Sequence, residues 1–164
     1  KDYRVSGTPQ EAYSLGFEYR DPNYWWFQLN GNLLRNNYVD ISPLLRTDNF
    51  YTDADGVPFL DDETGVEVTQ NQVDGLLKQE KFENYMVINL IGGKSWKIGD
   101  KFIGFFASVG NLLDKQYKTG GYEQGRRADY RALRDDVSNP KRVFGPKYWY
   151  GRGANYFVNM YLRF

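Results

Sequence analysis

Catalysis by this chain would fall to carboxylates, because its 164 residues include neither histidine nor cysteine. Serine–histidine nucleophiles, thiolates, disulfides and the commonest metal ligands are therefore excluded. Two acidic groupings remain, Asp135-Asp136 and Asp61-Asp62-Glu63. Neither has a partner base or an apolar pocket readable in its neighbourhood, so solvated acidic loops are expected; no catalytic residue is assigned and no enzyme is expected. Asp53, Asp55, Gly56 and Asp62 fall at the third, fifth, sixth and twelfth positions of a calcium loop. Tyr51 stands where the first carboxylate belongs, and no helical pattern flanks the segment, so an Asp-Gly turn is favoured over a loose calcium site. No other cofactor is suggested. Arg126, Arg127, Arg131 and Arg134 are interleaved with Glu123, Asp129, Asp135 and Asp136, the pattern of a mixed, internally paired surface. With a formal net charge of zero, the chain gives no case for a nucleic-acid partner.

The residues with a clear pattern lie elsewhere. Aromatics make up 18% of the chain, accompanied by Asn, Gly, Asp and Arg in place of the Leu, Ile and Val of a soluble core. Five stretches alternate with period two, about 12–20, 24–34, 84–98, 102–111 and 154–164. One face collects Tyr13, Leu15, Phe17 and Tyr19; Trp25, Phe27, Leu29 and Leu33; Met86, Ile88, Leu90, Trp96 and Ile98; Ile103, Phe105, Ala107 and Val109; and Tyr156, Val158, Met160, Leu162 and Phe164. The other carries Glu18, Gln28, Asn30, Asn32, Asn89, Asn159 and Arg163 among small residues. Asp21-Pro22-Asn23 and Gly99-Asp100-Lys101 make short turns. The segments 35–81 and 113–153 lose the alternation and read as long, irregular loops.

Strands of about 9–11 residues suit a tilted bilayer crossing, and connections alternating short and long are those of an outer-membrane barrel. No run of about eighteen apolar residues could cross as a helix. A soluble antiparallel sandwich also alternates, but its solvated face would carry Lys and Glu, and loops of this length are uncommon in one. An antiparallel transmembrane β-barrel is therefore expected, in an outer membrane. Its C-terminus and short turns would be periplasmic, with both long loops outside and "KYWYG" (147–151) in an aromatic belt. The chain starts without an export signal, as a mature or truncated segment would.

The ending "YFVNMYLRF" resembles the signal by which the barrel-assembly machinery captures its substrates, with Tyr156, Val158, Met160, Leu162 and terminal Phe164 at alternate positions. The runs "GTPQEAYSLGFEYRDPNYWWFQLNGNLLRNNYVDISPLLRTDNFY", "GGKSWKIG", "NLLDKQYKTGGYEQGR" and "KYWYGRGANYFVNMYLRF" resemble the late barrel of TonB-dependent receptors. The variety they are most similar to is the SusC-like one, which has a carboxypeptidase-regulatory-like domain. That resemblance implies a barrel of about 22 strands, of which these are the last five, and import of a nutrient powered through TonB. The Glu18–Arg163 set would then face the lumen, the plug or a passing ligand. Implied partners are lipid, the rest of the barrel and its plug, TonB through an N-terminal part, and a surface lipoprotein. Neither plug nor TonB box is present in this sequence. A non-transporting structural subunit is the alternative, and a barrel enzyme the weakest reading.

Overall fold

The computed structural model describes residues 3–62, 64–125 and 128–164. Five strands, β1 (Glu11–Arg20), β2 (Trp25–Arg35), β3 (Tyr85–Ile98), β4 (Lys101–Gly110) and β7 (Asn155–Arg163), form one antiparallel sheet in the order β1-β2-β3-β4-β7. Their ends lie within a residue of the alternating stretches. Each short connection has a local cause. At Asp21–Tyr24, the Asp21 carboxylate accepts the Asn23 N–H at 2.7 Å, and Tyr24 takes a positive φ of 64° before its strand begins. The Asn23 N–H holds the Asp21 carboxyl below the usual carboxylate range. Between Ile98 and Lys101 only Gly99 and Asp100 turn the chain, and Gly99 supplies the φ of +61° that a tight hairpin needs. Gly104 answers a different need. The Tyr161 ring lies over it, so a Cβ there would meet the ring at 2.6 Å, and the Tyr161 hydroxyl bonds Ser95 Oγ at 2.6 Å.

The two long connections are not irregular, which corrects the sequence expectation. Residues up to Thr8, Asn37–Phe82 and Thr119–Trp149 make a second compact unit. Its core packs Leu45, Phe50, Val68, Val73, Leu77, Ala128, Tyr130 and Leu133. Two short helices, α1 (Gln70–Leu76) and α2 (Tyr130–Val137), supply Val73, Tyr130 and Leu133 among these. Thr69 starts α1, its N–H donating to the Gln72 side chain, and Asp129 starts α2 by accepting the Ala132 N–H at 2.8 Å. A separate ribbon pairs β5 (Lys118–Tyr122) with β6 (Lys147–Tyr150). Within it the "KYWYG" aromatics have specific partners: Tyr148 donates to Glu80 and Trp149 packs on Tyr122. Local periodicity missed this unit because its apolar residues meet across long stretches of sequence. Among the described residues no helix is long and apolar enough to cross a membrane.

Asp136 illustrates how the unit is closed. The residue is 6% exposed, and its carboxylate accepts the N–H groups of Val143 at 2.6 Å and Phe144 at 2.9 Å, with Arg142 at 3.6 Å. Burial pushes this carboxyl up, but the two amides and Arg142 outweigh it and hold it below the usual range. A depressed folded pKa gives stability that is present above the ordinary value of 3.8 and lost as pH falls through the folded value. Amide exchange should therefore find Val143 and Phe144 protected at neutral pH and losing protection below about pH 4. Asp136→Asn should lower their protection at neutral pH and remove that acid dependence.

Candidate functional site

The ladder sorts the sheet's side chains into two sets. Phe17 lies opposite Leu29, Leu29 opposite Leu90, Leu90 opposite Val109 and Val109 opposite Tyr156, so one apolar row crosses all five strands. This face has no covering layer among the described residues of its unit. Leu15 is 82% exposed, Met160 74% and Phe164 83%. Lys94 shares the face, between Trp25 and Phe105, and its ammonium reaches back to the Asn23 carbonyl beside the turn. A long stem lying along apolar surface with its charge carried to the end of the strand is the snorkelling geometry. The sequence reading had overlooked it.

On the opposite face the register brings together all seven residues expected there. Glu18 pairs with Gln28, Asn30 with Asn89 and with Gly16, and Asn32 with Ser14; Asn159 stands opposite Phe106 and Arg163 opposite Phe102. Asn30 donates to Ser14 at 3.1 Å, Asn32 to Asn30 at 2.5 Å, and Asn89 accepts the Asn111 N–H at 3.0 Å. Glu18 holds Arg20 in an ion pair. Gln28, Asn30, Asn89, Ser108 and Asn155 line a hollow of about 270 Å³. These groups exchange hydrogen bonds with water or a polar solute; they contain no activated nucleophile or base. Phe106 and Phe157, 5.8 Å apart on this face, make part of it aromatic. In the last strand, Tyr156, Val158, Met160 and Leu162 face Val109, Ala107, Phe105 and Ile103, and the Lys101 ammonium sits 4.7 Å from the Phe164 ring.

The acidic candidates have structural employment. Asp53 accepts the N–H groups of Asp55 and Val57, both at 2.9 Å, and Gly56 has a φ of +79°, so this is an Asp-Gly turn. Asp62 accepts from Arg134 at 2.6 Å, and Asp135 accepts from the same guanidinium. The hydrogen bonds that the guanidinium donates to these two carboxylates push the Arg134 pKa up. Asp61 accepts both the N–H and the hydroxyl of Thr64 at 3.0 Å. Among the described residues no group of three His, Cys, Asp or Glu side chains is placed to hold a metal ion. Arg131 lies over the Phe59 ring, whereas Glu63, Arg126 and Arg127 fall outside the described residues.

A site the sequence reading missed is in the second unit. A cleft of about 610 Å³ is lined by Tyr3, Tyr38, Tyr51, Asp48, Asp74 and Lys78 among others, with Arg46 in its wall. The Arg46 guanidinium makes a two-pronged ion pair with Glu123 and donates to the carbonyls of Ser42 at 3.1 Å and Leu77 at 2.9 Å. Glu123 also accepts the Ser42 N–H. Burial lowers the Arg46 pKa, but Glu123 and Tyr3 outweigh that and hold it above the ordinary value. Nothing local marks this pair, whose members are 77 residues apart.

Both side chains are nearly nine-tenths buried, so removing one partner leaves the other charge stranded. Arg46→Met or Glu123→Leu alone should each destabilise this unit by about 3 kcal/mol. The double replacement should lose much less, as read by urea-dependent proteolysis of the unit. Equal losses in all three variants would dismiss the pair as its fastening.

Compared with protein-family models, curated proteins and solved structures, the chain matches none of them.

Proposed function

We infer that this chain is the closing section of an outer-membrane β-barrel whose parent imports a ligand, its apolar face against lipid and its amide-rich face toward the lumen. The observation that carries the reading is the uncovered apolar row running across five antiparallel strands, backed by a face on which amides, hydroxyls and glycines stand among aromatic and charged residues. In water such a face needs a covering layer; hydrocarbon is the solvent that leaves it bare at no cost. The aromatic cluster of Tyr19, Trp25 and Phe27 beside the first turn, and the Lys94 ammonium drawn to that turn, suit a headgroup boundary.

Backbone accounting extends the reading. Within the sheet, β1 has a ladder with β2 alone and β7 with β4 alone, which leaves one row of N–H and C=O groups on each outer edge. Each unpaired group costs several kcal/mol in hydrocarbon, so both edges pair with further strands of the parent. The resemblance to TonB-dependent receptors supplies the remainder: about 22 strands, a plug inside them, TonB as energy source, and a nutrient as cargo. Gln28, Asn30, Asn32, Asn89 and Asn159 then contact plug, water or cargo by neutral hydrogen bonds, with Glu18 and Arg163 as charged members of that set.

Single cysteines can be introduced on a background with no native thiol. Spin labels at Phe17, Phe105 and Val158 should be relaxed by oxygen, and those at Gly16, Ser108 and Asn159 by a polar reagent. Finding Val158 and Asn159 in the same environment would sink the register. An impermeant thiol reagent should reach Gly56→Cys and Asp129→Cys on intact cells, but Asn23→Cys and Asp100→Cys only after the outer membrane is opened. Surface labelling at Asn23 would invert the topology.

A further inference from the structure

Segment Tyr3–Ser6 lies against the cleft of the second unit and is held in an unusual way. It joins no sheet and no helix. Instead the side chain of Gln79 reads the main chain of Arg4 from both sides: Oε1 accepts the Arg4 N–H at 2.8 Å and Nε2 donates to the Arg4 carbonyl at 2.9 Å. Nε2 is itself tied to the Val39 carbonyl at 2.9 Å, which aims it. The Tyr3 ring lies 4.8 Å from the Arg46 guanidinium, and Ser6 Oγ donates to Asp40 at 2.8 Å. Tyr3, Arg4 and Val5 are otherwise exposed, and none of the four belongs to the hydrophobic core of the unit. Tyr3 and Arg4 form part of the cleft wall, with Tyr38, Asp48, Asp74 and Lys78 among the other lining residues.

We propose that Tyr3–Ser6 is a detachable strap that closes this cleft, and that Gln79 is its latch. The anchors are hydrogen bonds between exposed or half-exposed groups, which exchange with water at small net cost, and one contact of the exposed Tyr3 ring with the edge of the largely buried Arg46 guanidinium. Lifting the strap uncovers the Gln79 amide and the edge of Arg46, both polar and readily hydrated, and leaves the apolar core sealed. The segment therefore opens by itself, below the free energy at which the unit unfolds. Arg46 favours the same behaviour: its Nε is buried with no acceptor among the described residues, and water admitted by an open strap would supply one. With carboxylates, an ammonium and tyrosine rings on its walls, the opened cleft suits a small polar solute of mixed charge over a lipid tail or a polyanion. This inference does not depend on the import reading, since every contact it uses lies within one unit.

The test uses the purified whole protein and three readouts. Amide exchange is followed at Arg4, which the latch holds, and at Leu77, whose N–H bonds the Val73 carbonyl inside the core unit. The third readout is the rate at which a maleimide labels Tyr38→Cys in the cleft. Gln79→Ala should speed Arg4 exchange and Tyr38→Cys labelling by about tenfold or more while leaving Leu77 unchanged. Gln79→Glu keeps the bond from the Arg4 N–H and loses both donated bonds, so it should give a smaller rise of the same kind. A disulfide between Ser6→Cys and Asp40→Cys should slow labelling below the starting rate. If Leu77 exchange accelerates together with Arg4, the segment is part of the cooperative core and not a strap. If labelling of the cleft is indifferent to both latch and disulfide, the segment does not close it.

Discussion

The antiparallel register is the constraint on which the sheet depends. Side chains alternate along a strand with a period of two, so one residue of slip in any pairing would turn that strand's apolar set to the opposite face. The observed ladder keeps Phe17, Leu29, Leu90, Val109 and Tyr156 in one row and places Gly16, Asn30 and Asn89 in the adjacent one. Two tight turns pin it. The Asp21 carboxylate fixes one by bonding the Asn23 amide, and the positive φ of Gly99 fixes the other. With the register set, the chemistry of each face follows: an apolar surface on one side, and amides, hydroxyls and glycines mixed with aromatics such as Phe106 and Phe157 on the other.

The second unit is held by different physics. It has no period to enforce, and its three chain segments are gathered by long-range burial and by a few polar fastenings. Arg46 is the most connected of these, joining the turn at Ser42, the end of α1 at Leu77, Glu123 from the third segment and Tyr3 from the first. Asn37 adds another, its buried amide donating to the Thr119 carbonyl at 2.8 Å while its own carbonyl accepts the Phe82 N–H. Buried polar links of this kind add little net stability compared with apolar packing, but breaking one is costly, so they select a single arrangement of otherwise interchangeable loops.

The two units also divide chemical roles. The sheet's polar face carries uncharged donors and acceptors, Gln28, Asn30, Asn32, Asn89, Ser108 and Asn159 among them, which hydrogen-bond water or a polar solute. The second unit concentrates the carboxylates, and several of them serve as turn, cap or ion-pair partners: Asp53, Asp61, Asp62, Asp129 and Asp136 each accept bonds that shape the backbone or pair with an arginine. Asp61, Asp62, Asp135 and Asp136, which stand as bare acidic pairs in the sequence, each hold a hydrogen-bond partner in the fold.

By itself the sequence determined the five strands, their faces, the two short turns and the grouping of the seven polar residues, because all of these are local consequences of a period of two and of Asp, Pro and Gly backbone preferences. It also determined that histidine and cysteine chemistry is absent. The tertiary structure alone decided that 37–82 and 119–149 fold around a core, that Lys94 runs along the apolar face to the Asn23 carbonyl, that Arg46 meets Glu123, and that Gln79 grips Arg4. These are meetings between residues tens of positions apart, held by burial and by hydrogen bonds whose partners no local pattern announces.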